Sequence, residues 1–159
     1  MSIKNFILKH FPLELRKKID YCFYAQNINR VYKKFINNKR HLNLRLDTNN
    51  ICNLKCIFCY RRELENNIKK RIMSYDEFKM IADKLFPITE LLSLSCATEP
   101  TLTPNFEKYI DLSCKYDIPF IEFVSNGLLL NDSIIETSIR NKLNQITISI
   151  DAASKELYE

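Results

Sequence analysis

The sequence has no long hydrophobic run and almost no glycine. No stretch of its 159 residues approaches the roughly 18 uninterrupted apolar residues that a membrane span requires. The apolar start, Phe6–Leu8, is broken by Lys9 and His10 before it could act as the hydrophobic segment of a secretory signal. Internal repeats and low-complexity segments are also absent, and the single glycine carries no mechanistic information alone. We therefore expect one globular, cytoplasmic unit without a transmembrane segment.

The positive charge is concentrated at the N-terminus. The formal net charge is +5, and residues 1–40 contain ten Lys or Arg against two Asp or Glu. From Pro12 to about Ile36, apolar residues recur at helical spacing, which predicts a basic preamble of one or two amphipathic helices over residues 1–40. Such a segment could contact nucleic acid, a membrane surface or an acidic partner. A solvated helix face explains the charge more simply, so nucleic acid is not the expected partner.

Four short segments after residue 40 have the pattern of β-strands. Leu42–Asp47 alternates leucine with polar residues, as a half-buried strand does. Three further strands are predicted at Leu91–Ser95, Phe120–Ser125 and Gln145–Ile150. Because helical segments separate these strands, the sequence predicts an α/β fold in which about four parallel strands alternate with helices, preceded by the N-terminal helices.

The predicted helices between the strands have recognisable start signals. Ser74 and Glu77 have the Ser-x-x-Glu spacing of a capping box, which marks the start of the first one. The second is expected to begin with Thr103 as N-cap and Pro104 at the first helical position, and the third with Asn131 or Asp132 as cap, ending near Asn141.

Polar and thiol side chains follow each predicted strand. Ligands of parallel α/β sheets collect at the carboxyl ends of the strands, so residues at these ends should converge on one rim. They are Cys52, Cys56 and Cys59 after the first strand, Glu99 after the second, Ser125 and Asn126 at the third, and Asp151 after the fourth.

Three of the six cysteines lie within eight residues, in the stretch CNLKCIFC from Cys52 to Cys59. In a chain without a secretory signal, clustered thiols suggest a metal rather than disulfides. Structural zinc would need a fourth ligand, such as His41 or Cys96. A four-iron four-sulfur cluster held by three thiolates would instead leave one iron open to a small molecule. Cys22 and Cys114 fall in helical patterns and are expected to be small buried apolar residues.

The Cys-x3-Cys-x2-Cys spacing after a first strand resembles the radical S-adenosylmethionine enzymes, and the resemblance runs from about Leu42 to the C-terminus. It implies a partial (βα) barrel of that type, a four-iron four-sulfur cluster on Cys52, Cys56 and Cys59, and S-adenosylmethionine chelated to the open iron. In that family, cleavage of the sulfonium yields a 5′-deoxyadenosyl radical that removes a hydrogen atom from the substrate, and the cofactor carries the difficult chemistry.

Further residues are assigned only by this resemblance. Phe58 would lie near the adenine. CATEP, Cys96 to Pro100, stands where the family usually has Gly-Gly-Glu-Pro, so Glu99, with Thr98 beside it, would receive the methionine amino group. The stretches SNG and SID resemble the peptide-maturase branch, in which polar groups at these positions meet the methionine carboxylate or the ribose; the residues concerned are Ser125, Asn126, Ser149 and Asp151.

The family core generally has six βα units, and this sequence provides four. Residues 41–159 are therefore expected to be the N-terminal part of a radical S-adenosylmethionine core domain, apparently truncated. The expected substrate is a peptide or a small molecule, and the expected electron donor is a protein such as ferredoxin or flavodoxin; no catalytic residue is assigned. Two alternatives are a non-catalytic iron–sulfur or zinc-binding module and a nucleic-acid-binding protein that uses the basic N-terminus.

Overall fold

The computed structural model describes the backbone of residues 13–57, 59, 61 and 69–150, and the side chains from Ala25 onward within these ranges. The residues divide into two compact units, one up to His41 and the other from Leu42 onward. Among the described residues of the first unit, one helix, α1 (Leu13–Ile36), occupies the segment from Pro12 to about Ile36 for which one or two helices were predicted. Within the described part of the chain, no helix is long and apolar enough to cross a membrane.

The second unit alternates strands and helices. Its elements are β1 (Leu42–Arg45), α2 (Tyr75–Leu85), β2 (Thr89–Ser93), α3 (Phe106–Cys114), β3 (Phe120–Ser125), α4 (Asp132–Arg140) and β4 (Gln145–Ile148), with short 3-10 turns at Phe86–Ile88 and Pro100–Leu102. The strands form one sheet in the order β1-β2-β3-β4, and every neighbouring pair is parallel. The predicted α/β fold with four parallel strands is confirmed.

Two of the three helices that follow the first strand, α2 and α4, begin at the side-chain caps that the sequence predicts. At α2, the Ser74 hydroxyl accepts from the Glu77 N–H, and the Glu77 carboxylate accepts from the Ser74 N–H, which is the predicted capping box. At α4, the Asn131 side chain accepts from the Ile134 N–H at 3.0 Å. Because these caps bond residues only three positions apart, local sequence was sufficient to predict them.

The predicted start of α3 is wrong. The helix begins at Phe106, preceded by Asn105 in the left-handed conformation with φ 53°, so Thr103 is not its N-cap and Pro104 is not its first residue. The Thr103 hydroxyl lies 2.7 Å from that of Thr48 and accepts from the Asn49 side-chain amide at 2.8 Å. These partners come from the loop after β1. The Thr103 hydroxyl therefore bonds with that loop and does not cap a helix.

Four strand boundaries also differ from prediction. The second strand begins two residues early, at Thr89, where the Thr89 hydroxyl donates to the Leu85 carbonyl and ties the strand to the end of α2. The first, second and fourth strands end two residues earlier than predicted, at Arg45, Ser93 and Ile148. The ladder nevertheless continues beyond them, because Leu46 N–H donates to Ser93 O at 2.9 Å and Ser149 N–H donates to Ser125 O at 2.8 Å.

The hydrophobic core lies on one face of the sheet. Residues of helices α2, α3 and α4, of strands β2 and β3, and of the segments that adjoin them form one buried cluster among the described residues: Phe78, Ala82, Phe86, Leu92, Leu94, Phe106, Tyr109, Ile110, Leu112, Ile118, Ile121, Phe123 and Ile134. The rings of Phe106 and Phe123 meet edge to face, with centroids 5.3 Å apart. Because all three helices pack on the same face while the strands keep their sequential order, the sheet winds in one direction, as in a (βα) barrel.

Candidate functional site

The cysteine loop leaves the carboxyl end of β1. The thiols of Cys52, Cys56 and Cys59 are half-buried and are not paired in disulfides. The Cys59 N–H donates to the Cys56 carbonyl at 3.1 Å, and the Leu54 N–H lies 3.5 Å from the Cys52 sulfur. These contacts form successive turns, so the three thiols lie on one short, folded segment at the rim of the sheet.

Backbone contacts fix the cysteine loop to the loop that follows β2. The Glu99 N–H donates to the Ile51 carbonyl at 3.0 Å, one residue before Cys52. On the other side of the thiols, the Arg61 guanidinium donates to the Ala97 carbonyl at 3.2 Å and also to the Asn50 carbonyl. The predicted neighbourhood of the cysteines and the CATEP stretch is therefore present in the structure.

Glu99 lies at the centre of the rim and is only 2% exposed. Its Oε1 accepts from the Thr101 N–H at 3.2 Å, from the Thr101 hydroxyl at 2.6 Å and from the Ser125 hydroxyl at 2.8 Å. Its Oε2 accepts from the Asn126 N–H at 2.8 Å. One buried carboxylate thus joins the ends of β2 and β3, and each donor to it is a neutral group.

Asn126 extends this network to the cysteine loop, because its side-chain amide donates to the side-chain oxygen (Oδ1) of Asn53 at 2.7 Å. The backbone turns sharply after it, at Gly127, where φ is +81°. Ser149 joins through its N–H, which donates to the Ser125 carbonyl at 2.8 Å. Four of the residues assigned from the sequence, Glu99, Ser125, Asn126 and Ser149, therefore lie in one hydrogen-bonded network.

Two functional candidates in the loop after β1, Asp47 and Asn49, were not identified from the sequence. Asp47 Oδ1 accepts from the Cys96 N–H at 2.8 Å, from the Ala97 N–H at 3.2 Å and from the Thr98 hydroxyl at 2.8 Å. The Asn49 side-chain amide donates to the Glu99 carbonyl at 2.9 Å. An acidic or amide residue directly after a strand was the only available hint, and it does not reveal a partner some 50 positions away.

The remaining cysteines differ in environment. Cys96 is exposed, and among the described residues its thiol takes no part in the hydrogen-bond network around Glu99. Cys114 is half-buried on α3, where burial, with a smaller effect from the Asp111 carboxylate, raises the pKa of its thiol to about 11. Cys114 is therefore a protonated thiol near neutral pH. The side chains of Cys22, Phe58 and Asp151 lie outside the described residues.

As they stand, no three His, Cys, Asp or Glu side chains of residues 25–57, 59, 61 and 69–150 lie close enough together to bind a metal ion. The chemistry of the cysteine loop nevertheless suits a soft metal or an iron–sulfur cluster, because three thiols are carried by eight consecutive residues. A cluster on this loop would have three protein ligands, and binding it would require the thiols to draw together.

Two curated relatives are each 28% identical to the chain. A probable GTP 3′,8-cyclase of Methanocaldococcus jannaschii aligns over 116 residues, which is 73% of this chain and 38% of the relative. The antilisterial bacteriocin subtilosin biosynthesis protein AlbA of Bacillus subtilis aligns over 109 residues, which is 68% of this chain and 24% of the relative. The chain thus spans between about a quarter and two fifths of the length of these relatives.

The fold has solved counterparts. The crystal structure of BtrN in complex with AdoMet and 2-DOIA superposes with a TM-score of 0.60 and 18% identity, over 72% of this chain and 48% of that chain. This likeness confirms the predicted type of partial barrel. The family model of the radical SAM superfamily matches residues 46–159, which is well over half of the chain. The chain therefore belongs to the radical S-adenosylmethionine superfamily.

Proposed function

We propose that this chain binds a four-iron four-sulfur cluster through Cys52, Cys56 and Cys59, and S-adenosylmethionine at the adjacent rim. Members of the superfamily use these two cofactors, which together supply hydrogen-atom abstraction when bound. The observation that carries the proposal is the direct attachment of the cysteine loop to Glu99, through the bond from Glu99 N–H to Ile51 O. The expected thiolate ligands and the expected methionine site are thereby neighbours at one rim.

The proposed role of Glu99 is supported by its hydrogen-bond inventory. A carboxylate oxygen offers about two lone pairs, and Oε2 of Glu99 accepts only the Asn126 N–H among the described residues. Oε1 already accepts three donors. Oε2 therefore retains the capacity to accept from the ammonium of a methionine moiety, while Oε1 holds the loop in place. Because Glu99 is only 2% exposed, the ammonium of such a ligand would have to lie in direct contact with Oε2.

Ser125, Asn126 and Ser149 are proposed to orient the rest of the bound S-adenosylmethionine. Their backbone is fixed by the bonds to Glu99 and by the β3–β4 ladder, so a ligand would meet a prepared surface. The same role is proposed for Thr98, Phe58 and Asp151, by resemblance to the family. Exclusion of water from this rim would protect a reactive species formed there.

The substrate is proposed to be a peptide or a small molecule. One relative is named for the biosynthesis of a bacteriocin, which favours a peptide, and the other is named as a GTP cyclase, which favours a small molecule. An electron donor such as ferredoxin or flavodoxin and a cytoplasmic location complete the proposal. We also propose residues 1–40 as a separate basic segment and residues 41–159 as the N-terminal part of the core domain.

Anaerobic reconstitution of the 159-residue chain with iron and sulfide tests the metal assignment. We expect about four irons and four sulfides per chain, and loss of this loading in Cys52→Ala, Cys56→Ala and Cys59→Ala. The matched controls are Cys96→Ala and Cys114→Ala, because these thiols lie outside the loop and should leave the iron content unchanged. Stoichiometric zinc in place of iron, or full loading of Cys56→Ala, would contradict the proposal.

A further inference from the structure

A single carboxylate oxygen organises the loop that leads from β2 to Glu99. Asp47 Oδ1 accepts hydrogen bonds from three consecutive residues, namely from the N–H groups of Cys96 and Ala97 and from the hydroxyl of Thr98. The distances are 2.8, 3.2 and 2.8 Å. Charge-assisted bonds of this kind are about twice as strong as bonds between neutral groups. Asp47 therefore determines the path of the backbone from residue 96 to residue 98.

The need for such a contact follows from the composition of the loop. Residues 96–98 are Cys, Ala and Thr, and none of them has the backbone freedom of glycine. The N–H groups of Cys96 and Ala97 lie beyond the paired residues of β2, so the sheet offers them no acceptor. Asp47 provides the acceptor, and it belongs to the same chain segment as Ile51, whose carbonyl accepts from the Glu99 N–H.

The segment from Asp47 to Ile51 thus holds both ends of the stretch 96–99. Asp47 binds its beginning, and Ile51 binds its end at Glu99. Between them, the Asn49 side chain donates to the Glu99 carbonyl at 2.9 Å. Because this segment runs directly into Cys52, the loop that carries Glu99 and the loop that carries the thiols are held as one unit.

We propose that Asp47 is a positioning residue for the α-amino acid moiety of S-adenosylmethionine. It fixes residues 96–98, so that Glu99 presents its carboxylate and neighbouring backbone to the ligand without reorganisation on binding. Asp47 itself need not touch the ligand. The proposal rests on the function proposed above, because it assigns a role within the same cofactor site.

The first test measures S-adenosylmethionine affinity by titrating the reconstituted full chain and following the cluster's EPR spectrum. Asp47→Ala should weaken binding about tenfold at unchanged iron content, because the loop must then be ordered at the expense of binding energy. Asp47→Asn should recover most of the affinity, since its side-chain oxygen accepts the same bonds. Asp111→Ala is the matched control, because Asp111 accepts from Arg140 and Asn141 on the helical side. Its affinity should equal that of the wild type.

A second variant keeps the proposal testable if Asp47→Ala does not fold. Thr98→Val removes one of the three bonds and should weaken binding about threefold. It should also accelerate hydrogen exchange at the Cys96 and Ala97 amides of the cluster-free chain, which the loss of a direct contact between Thr98 and the ligand would not do. Hydrogen exchange at the Cys96 and Ala97 amides of the cluster-free chain should accelerate in Asp47→Ala and not in Asp111→Ala. Wild-type affinity in Asp47→Ala or in Thr98→Val would overturn this inference and would leave the proposed function standing. A wild-type chain that loads iron but binds no S-adenosylmethionine would overturn the proposed function as well.

Discussion

Replacing Glu99 by Gln should destabilise the second unit although the side chain keeps its size. A Gln amide has one oxygen and one NH2 group, whereas the carboxylate of Glu99 accepts on both oxygens. If the Gln oxygen faces Thr101 and Ser125, the NH2 group meets the Asn126 N–H, donor against donor. In the opposite orientation, the NH2 group meets the three donors at the Oε1 position. Neither orientation satisfies every group.

The size of the effect follows from the better orientation. The N–H of Asn126, which is part-buried, loses its acceptor, which costs about 1–3 kcal/mol to the extent that water cannot reach it. The bonds from Thr101 and Ser125 change from charge-assisted to neutral, and the resulting loss is partly offset because an amide is cheaper to bury than a carboxylate. We therefore expect Glu99→Gln to lower the free energy of unfolding by about 1–3 kcal/mol.

Urea unfolding of the full chain near neutral pH, followed by far-ultraviolet circular dichroism, measures this difference. The midpoint should fall while the m-value stays constant, since the surface exposed on unfolding does not change. The matched control is Glu122→Gln, because Glu122 lies on β3 and its half-buried carboxylate accepts no hydrogen bond within the described residues. Its stability should change by less than about 0.5 kcal/mol. Equal midpoints for the two variants would refute the assignment of Glu99 as the link between β2 and β3.

Three smaller perturbations test individual features of the fold. Ser74→Ala should cost about 1 kcal/mol. In an NMR titration it should raise the lowered pKa of Glu77 only in part, because the backbone N–H of residue 74, the largest cause of that lowering, remains and only the hydroxyl bond is lost. In the wild type, the stabilisation that comes from the lowered pKa is present above the unfolded-state pKa and is lost as the pH falls through the folded-state pKa. Cys114, whose pKa is about 11, should react with iodoacetamide at pH 8 far more slowly than the exposed Cys96, as mass spectrometry of the folded chain would show; equal rates would contradict the burial of Cys114. Gly127→Ala should cost about 1–2 kcal/mol in the same urea assay, because φ is +81° and the added methyl would approach a β4 side chain at 3.3 Å.

The sequence by itself determined the elements and the order in which they pack. The capping box of Ser74 with Glu77 and the cap at Asn131 bond groups three residues apart, and hydrophobic alternation marked Phe120–Ser125 with its observed bounds. Parallel strands with helices between them then left little choice of topology, so the rim could be anticipated from the residues that end each strand. The spacing of the three thiols from Cys52 to Cys59 indicated the family, and it could be recognised because all three cysteines lie within eight consecutive residues.

Only the tertiary structure decided how the rim is held together. Asp47 meets Cys96 across 49 positions, and Thr103 meets Thr48 across 55, so neither contact leaves a periodic or capping signal in the sequence. For the same reason, the sequence did not show that Thr103 is a buried link between two loops and not the predicted helix cap. Glu99 was assigned by resemblance as a residue that faces a ligand, yet its four donors come from Thr101, Ser125 and Asn126. A buried carboxylate must find enough donors to offset its desolvation, and which donors are within reach depends on the packing of the sheet.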